Sequence, residues 1–387
     1  MDIFTVNRDY KTAELVQEFE SMIWTERYYG DSEVELTVPM RRETLEKLPL
    51  GILIGSSKSD ELMVLEEGSI EEGSMKYTGI AVLPWLNNRF VRYSMLHRDK
   101  STPSGVMSNV GAPLWNLIWY GASDSSPSLT LDDGTFGIPF GYGHRMMIPG
   151  LGLRSIDAVP NLPESEWFTF TIEFEPLYDA VRKLAEAYQV GVKIDWQPDL
   201  TPILGFRAYK GVDRTSQQAD NPVVRFSPGL DSLTDIKEFH SKRNFKNLAF
   251  TYNTNAPLNY TTPGIAFTEE ASESSGFDLR VAQVFIDDIE DRPFDYNVIV
   301  EFLNGDARKH LGQNRYVRVV DGQVIPGPQL VYGRDYGLGD LVEEQGNTGA
   351  VSVGRVTEFI RAQDANGYRE FPTISEIDTI NTNIVSP

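Results

Sequence analysis

The sequence predicts a mainly β protein with α+β subdomains, built from two similar antiparallel β-barrels plus smaller inserted domains. Three observations predict this. Short runs of alternating apolar and polar residues, punctuated by glycine and serine, fill both ends of the chain. A strand, an amphipathic helix and two more strands occupy the middle. The order of strand-like runs in the N-terminal part, "FTVNRD", "ELTVP", "LGILIG" and a hairpin, is echoed late in the chain by "VVRFS", "NLAFTY", "LGDLVEEQ" and a hairpin. At roughly 150 residues per domain, 387 residues give two to four domains.

Residues 1–92 read as the N-terminal β-barrel. "EVELTVP" from Glu33 puts Val34, Leu36 and Val38 on one face, and "GILIG" at 51–55, "ELMVLEEGSI" from Glu61 and "GSMKYTGIAVLPWL" follow as strands. A short helix, "RRETLEKL" from Arg41, lies between them. Residues 93–221 combine a loop-rich insert with a β-α-β-β subdomain. The insert, to about residue 165, gathers glycine, proline and serine with Trp115, Trp119, Tyr120 and Tyr142, a content that points to contact with a partner or neighbouring subunit. After it Phe168, Phe170, Ile172 and Phe174 alternate as in a strand. Leu177, Val181, Leu184, Ala185 and Tyr188 then recur at helical spacing, with Pro176 suited to the helix start and Gly191 to its end. "VKIDW" and "ILGFRAY" supply the last two strands.

Residues 222–255 open the second β-barrel with a strand, a short helix capped by Ser232, and a strand in "NLAFTYN". Residues 256–312 form an inserted subdomain with a helix in "FDYNVIVEFLNGDARKHLG". Residues 313–387 complete the second barrel with antiparallel strands in "YVRVV", "LVYGRDYGLGDLVEEQ", "AVSVGRVTEFIRAQD" and "REFPTI", followed by a C-terminal tail. No solenoid or propeller repeat is visible.

Composition removes several kinds of chemistry. Cysteine is absent, which rules out disulfides, thiolate nucleophiles and cysteine-ligated metals. Lys plus Arg number 35 against 56 Asp plus Glu, a net charge of -21 that is the opposite of a phosphate-binding footprint. The start of the chain lacks a basic, apolar export signal, and no run is long and apolar enough to cross a bilayer as a helix. The four histidines, His97, His144, His240 and His310, show no metal-ligand spacing. "HRD" at 97–99 lacks the asparagine and glycine-rich loop of a kinase, no G-x-S-x-G occurs, and "GLGLR" and "GYGHR" lack the strand and helix of a phosphate cradle. The aspartates of "LDDGTFG" and "FIDDIEDRPFDYN" do not match a calcium loop. A pair of glycosidase carboxylates is defined by its separation in space and is not legible in sequence. Trp115, Trp119 and Tyr120, spaced i, i+4 and i+5, share a helix face that serves either a local core or an exposed platform for protein or sugar. No catalytic, cofactor-binding or metal-binding residue is assigned.

The order of "ELTVP" before "LGILIG", the "LMVLEEGSIEEG" strand pair, "LTDIKEFHSKRNFKNLAFTYN" and the late "DYGLGDLVEEQ" with "VGRVTEFIRAQDANGYREFPTI" resembles the siphophage tail-hub family, the minor tail or Gp37-like tail proteins. "DYGLGD", Asp335 to Asp340, is the most specific piece: Gly337 and Gly339 suit a tight turn into a strand, and Asp340 can hydrogen-bond its own turn. The resemblance implies a phage tail-hub architecture and a homotrimer whose paired barrels make a pseudo-sixfold ring. Its implied partners are a hexameric distal tail protein ring, tape-measure protein and other tail-tip or fibre proteins. DNA would meet it only in transit through an acidic lumen. A structural, non-enzymatic role at the tail tip of the virion follows, after synthesis in the host cytoplasm and without stable membrane insertion. Many hubs carry a long C-terminal extension where this chain stops at "SEIDTINTNIVSP", which implies that wall degradation or receptor binding belongs to another subunit. The alternatives are a carbohydrate-binding tail module, expected to expose an aromatic groove, and a glycan-active tail enzyme, expected to converge two carboxylates in a pocket.

Overall fold

A computed structural model of the chain describes residues 1–71, 73–89, 106–107, 111–122, 148–158, 168–169, 175–253, 263–268, 271, 274–286, 296–314, 316–325, 327–376 and 384–385. It is mainly β, as the alternating runs predict, with few helices and several sheets. The chain forms two compact units: residues 1–224, 326–342 and 355–375 make the first, and 225–325, 343–354 and 376–387 the second.

In the first unit the strands follow the sequence reading closely. Glu33–Pro39 buries Val34, Leu36 and Val38 and pairs antiparallel with Ser21–Arg27 on one side and Ser74–Ala81 on the other. The sheet continues through Met63–Glu71, Leu53–Ser56 and Ile3–Val6 to Thr12–Val16. At its other side Ser21–Arg27 pairs with Val351–Asp364 from Arg27↔Glu358 to Met22↔Gln363, so strands distant in sequence share one sheet. The Met1 amino group donates to Gln363 Oε1 at 2.9 Å, bringing the two sides of the strand series together. Ile3, Val16, Trp24, Leu36, Met63 and Tyr77 meet in one core, which requires the sheet to curl around them.

A second layer packs against this sheet. Gly191–Trp196 pairs antiparallel with Leu204–Tyr209, which pairs parallel with Leu151–Ala158. The helices Leu177–Ala187 and Gly111–Gly121 cover it, and Val181, Leu184, Leu117 and Phe206 join Val6, Val64 and Leu83 in one core. Helix Leu177–Ala187 begins after Pro176, as expected, but Gly191 does not end it. Gln189, at φ +53°, takes the left-handed position, with Val190 N–H donating to Ala185 O and Gln189 N–H to Glu186 O. These two bonds are the Schellman closure, which here tolerates a non-glycine residue. Phe168 lies on the short strand Phe168–Thr169, whereas Phe170, Ile172 and Phe174 lie outside the described residues.

In the second unit, Leu248–Asn253 pairs with Gly264–Thr268 and with Val281–Ile286. The helix Tyr296–Gln313 covers this sheet through Ala249, Ala266, Ala282, Ala307 and Leu311. Small residues bring the backbones close: a Cβ on Gly264 would lie 2.2 Å from the Leu303 carbonyl carbon. Asn304 Oδ1 accepts the Ile265 N–H at 2.8 Å. The short helix expected after Ser232 is instead the strand Leu233–Ser241, paired antiparallel with Val317–Val324. Ser232 closes a turn, accepting Ser227 N–H at 2.9 Å, and cross-strand pairing overrides the local helical spacing. Of the segments expected to build the second barrel, residues 225–255, 313–325 and 343–354 lie in this unit, and 326–342 and 355–375 in the first.

Phe206, fully buried where sheet and helices of the first unit meet, tests this core. Phe206→Ala should cost about 3–5 kcal/mol in urea unfolding monitored by circular dichroism, whereas truncating the exposed Leu200 should cost less than about 0.5 kcal/mol.

Candidate functional site

Tyr28 leaves the strand Ser21–Arg27 and is completely buried. Its backbone is tied on both sides: its N–H donates to Thr357 O at 2.8 Å, and its carbonyl accepts Val192 N–H at 3.0 Å. Its hydroxyl lies 3.1 Å from Gln189 O and 3.3 Å from Tyr209 O as a donor, and it accepts Gly211 N–H at 3.4 Å. Two glycines make room for the ring, since a Cβ at either Gly191 or Gly339 would lie 2.2 Å from a ring carbon. The Arg355 guanidinium stands 5.3 Å from the ring centroid and donates to Gly339 O at 2.6 Å and to Gln189 Oε1 at 3.0 Å.

The "DYGLGD" turn is built around this ring. Asp340 accepts Gly337 N–H at 3.0 Å, the bond within its own turn that the sequence anticipates. It also accepts Val212 N–H and Arg214 Nε–H, each at 2.7 Å. Gly339 holds φ +87° and meets Tyr28, so both its backbone and its missing side chain matter. Gly337 faces open space, and geometry does not require a glycine there.

A pocket of about 310 Å³ opens beside Tyr209 and Tyr332 and is lined also by Glu26, Asp60, Glu61 and Lys193. Its charges are paired almost throughout. Glu26 pairs with Arg361 at 2.8 Å, and Lys193 reaches both oxygens of Asp60, at 2.8 and 2.6 Å. The wholly buried Asp195 is held by Arg154 at 2.8 Å and by Arg207. Arg27 pairs with Glu358 at 2.7 Å and with Glu33. Glu61 is the exception. It is 2% exposed, makes no salt bridge among the described residues, and leaves its Oε1 without a hydrogen-bond partner there. Burial first, then the neighbouring Glu26 charge, push its carboxyl up to about 8. In the second unit Glu344, also buried, is likewise pushed up to about 8, with Asp321 adding repulsion.

The residues singled out by sequence do not assemble into one place. His240 Nδ1 lies 2.9 Å from the Tyr316 hydroxyl, while His310 sits in the helix Tyr296–Gln313 beside Asn314. His97, Asp99, His144, Tyr142 and the "LDDGTFG" aspartates lie outside the described residues. Trp115 is half-buried on the helix Gly111–Gly121, whose Leu114, Leu117 and Ile118 are fully buried. The side chains of Trp119 and Tyr120 lie outside the described residues. Among the described residues no three His, Asp or Glu side chains are placed to hold a metal ion. Tyr28, Arg355 and Glu61 carry the local architecture, and none was singled out from sequence.

This arrangement of curled sheet, covering layer and helix-backed second unit is shared with phage tail proteins. The chain is similar to the 43 kDa tail protein of prophage MuSo2 from Shewanella oneidensis, at 12% identity over 98% of this chain and 100% of that one, with a TM-score of 0.52. It is similar also to prophage tail protein gp18 from Listeria monocytogenes EGD-e, at 13% identity over 98% and 95% of the two chains, with a TM-score of 0.51. At such identities the likeness is one of fold. The family model described as Siphovirus ReqiPepy6 Gp37-like protein matches residues 144–374, and the chain belongs to that family of phage tail proteins. No curated protein matches its sequence.

Two outcomes test this geometry. Gly339→Ala should destabilise the protein by roughly 3 kcal/mol, through both positive φ and the Tyr28 clash. Gly337→Ala should cost less than about 1 kcal/mol, and chemical denaturation distinguishes the two. Between the ordinary carboxylate range and pH 8, the folded chain holds protons on Glu61 and Glu344 that the unfolded chain releases, so these groups make stability fall as pH rises from 5 to 9. Glu61→Gln should flatten that decline and gain about 2 kcal/mol over the parent at pH 9, read from urea midpoints across the pH series.

Proposed function

We propose that this chain is a structural subunit of a siphophage baseplate hub, working at the tail tip as a ring of three copies. The match of the Gp37-like family model to residues 144–374 is the observation that carries the proposal. Two β modules in each copy would offer six similar surfaces to a hexameric ring of distal tail protein, and other tail-tip or fibre proteins would attach around them. The hole of the ring would pass tape-measure protein and then DNA. The charge of -21 supports that use, because an acidic wall repels phosphates and lets DNA slide without adhering. A role without catalysis is supported by the pocket: Glu26 is locked by Arg361 and Asp60 by Lys193, so no two free carboxylates converge there of the kind glycan cleavage needs. The half-buried Trp115 gives little support to a sugar-stacking platform.

Native mass spectrometry of the purified chain, alone and with the distal tail protein of the same phage, tests the proposal. The expected species has three times the 43.5 kDa mass of one chain and buries more than roughly 2,000 Å² per interface. Electron microscopy of the particle should place it as a threefold ring at the tail end. A stable monomer at micromolar concentration that is also absent from the tail tip would overturn it.

A further inference from the structure

Six carboxylates and five cations make up the paired network around the pocket of the first unit. Glu26 is balanced by Arg361, Asp60 by Lys193, and the surplus cation of the Arg154–Asp195–Arg207 group offsets the surplus acid of the Glu33–Arg27–Glu358 group. Glu61 is the acid left over. A buried ionised carboxylate without a counter-charge costs several kcal/mol, so the network is neutral only when Glu61 carries a proton or when a cation joins it.

The pocket has the features of a receptor for that cation. Glu61 belongs to the lining of a 310 Å³ space, and its buried Oε1 has no hydrogen-bond partner among the described residues. Tyr209 and Tyr332 give the same space aromatic walls, and Arg361 already lies 5.7 Å from the Tyr332 ring centroid. The three cations that also line it, Arg27, Lys193 and Arg207, already have acidic partners. No three acidic or histidine ligands converge for a metal ion among the described residues, which favours an organic cation that needs fewer fixed oxygens. We infer that this pocket receives a single ammonium or guanidinium group, which forms an ion pair with Glu61. On binding, the carboxyl proton leaves to solvent as the guest's charge takes its place, so charge and protons balance. The site does not depend on the hub role.

Isothermal titration calorimetry of the full chain with n-propylammonium and n-propylguanidinium, in buffers of different ionisation enthalpy, tests the site. Saturable one-to-one binding is expected, with close to one proton released at pH 7, little released at pH 9, and affinity rising about tenfold per pH unit between 5 and 7 and levelling off above 8. The neutral isostere n-propanol should bind at least tenfold more weakly, a comparison that needs no variant. Glu61→Gln, checked for folding by circular dichroism, should lose the proton release and at least tenfold in affinity. Tighter binding of N-acetyl-lysine amide than of n-propylammonium assigns the group to a partner's side chain, and the reverse assigns it to a diffusible amine. Absence of saturable binding, equal binding of n-propanol, or unchanged binding by Glu61→Gln would each overturn the inference.

Discussion

The first unit depends on the burial of one aromatic ring against three separated stretches of chain. Tyr28 is reached by Gly191 from the second layer, by Gly339 from the late turn, and by Arg355 from the long strand. None of these contacts is strong alone. Their joint effect is to fix how residues near 190 and 340 pack against Tyr28, because two of the three approaches, at Gly191 and Gly339, leave no space for a Cβ. The Tyr28 hydroxyl also bonds backbone groups at Gln189, Tyr209 and Gly211.

Most of the β architecture is legible in the sequence, for a physical reason. Val34, Leu36 and Val38 alternate because one face of their strand is buried, and period-two burial leaves a period-two sequence. The helix Leu177–Ala187 was legible for the same reason at the helical period. What failed were local signals that distant pairing overrides. Leu233–Ser241 carries helix-compatible residues but meets Val317–Val324, and Gly191 looks like a helix stop although its absent side chain serves Tyr28.

The functional features were harder to read. Asp340 was legible because its bond to Gly337 spans only three residues. Glu61 was not, because its character comes from having neighbours whose charges are already spent: Lys193 on Asp60, Arg361 on Glu26, Arg207 on Asp195. Those partners lie more than a hundred residues away in the chain, and nothing about a glutamate before "LMVL" announces them. Charge bookkeeping of this kind exists only in three dimensions.

The helix Tyr296–Gln313 rests on a nearly smooth bed of alanines with Gly264 beneath Leu303. Methyl groups interlock poorly, so lengthwise position is set less by interdigitation than by bonds such as the one from Ile265 N–H to Asn304 Oδ1. Nearness and alignment thus come from different residues: alanine and glycine let helix and sheet approach, while an amide such as Asn304 keeps the rod from sliding along its track.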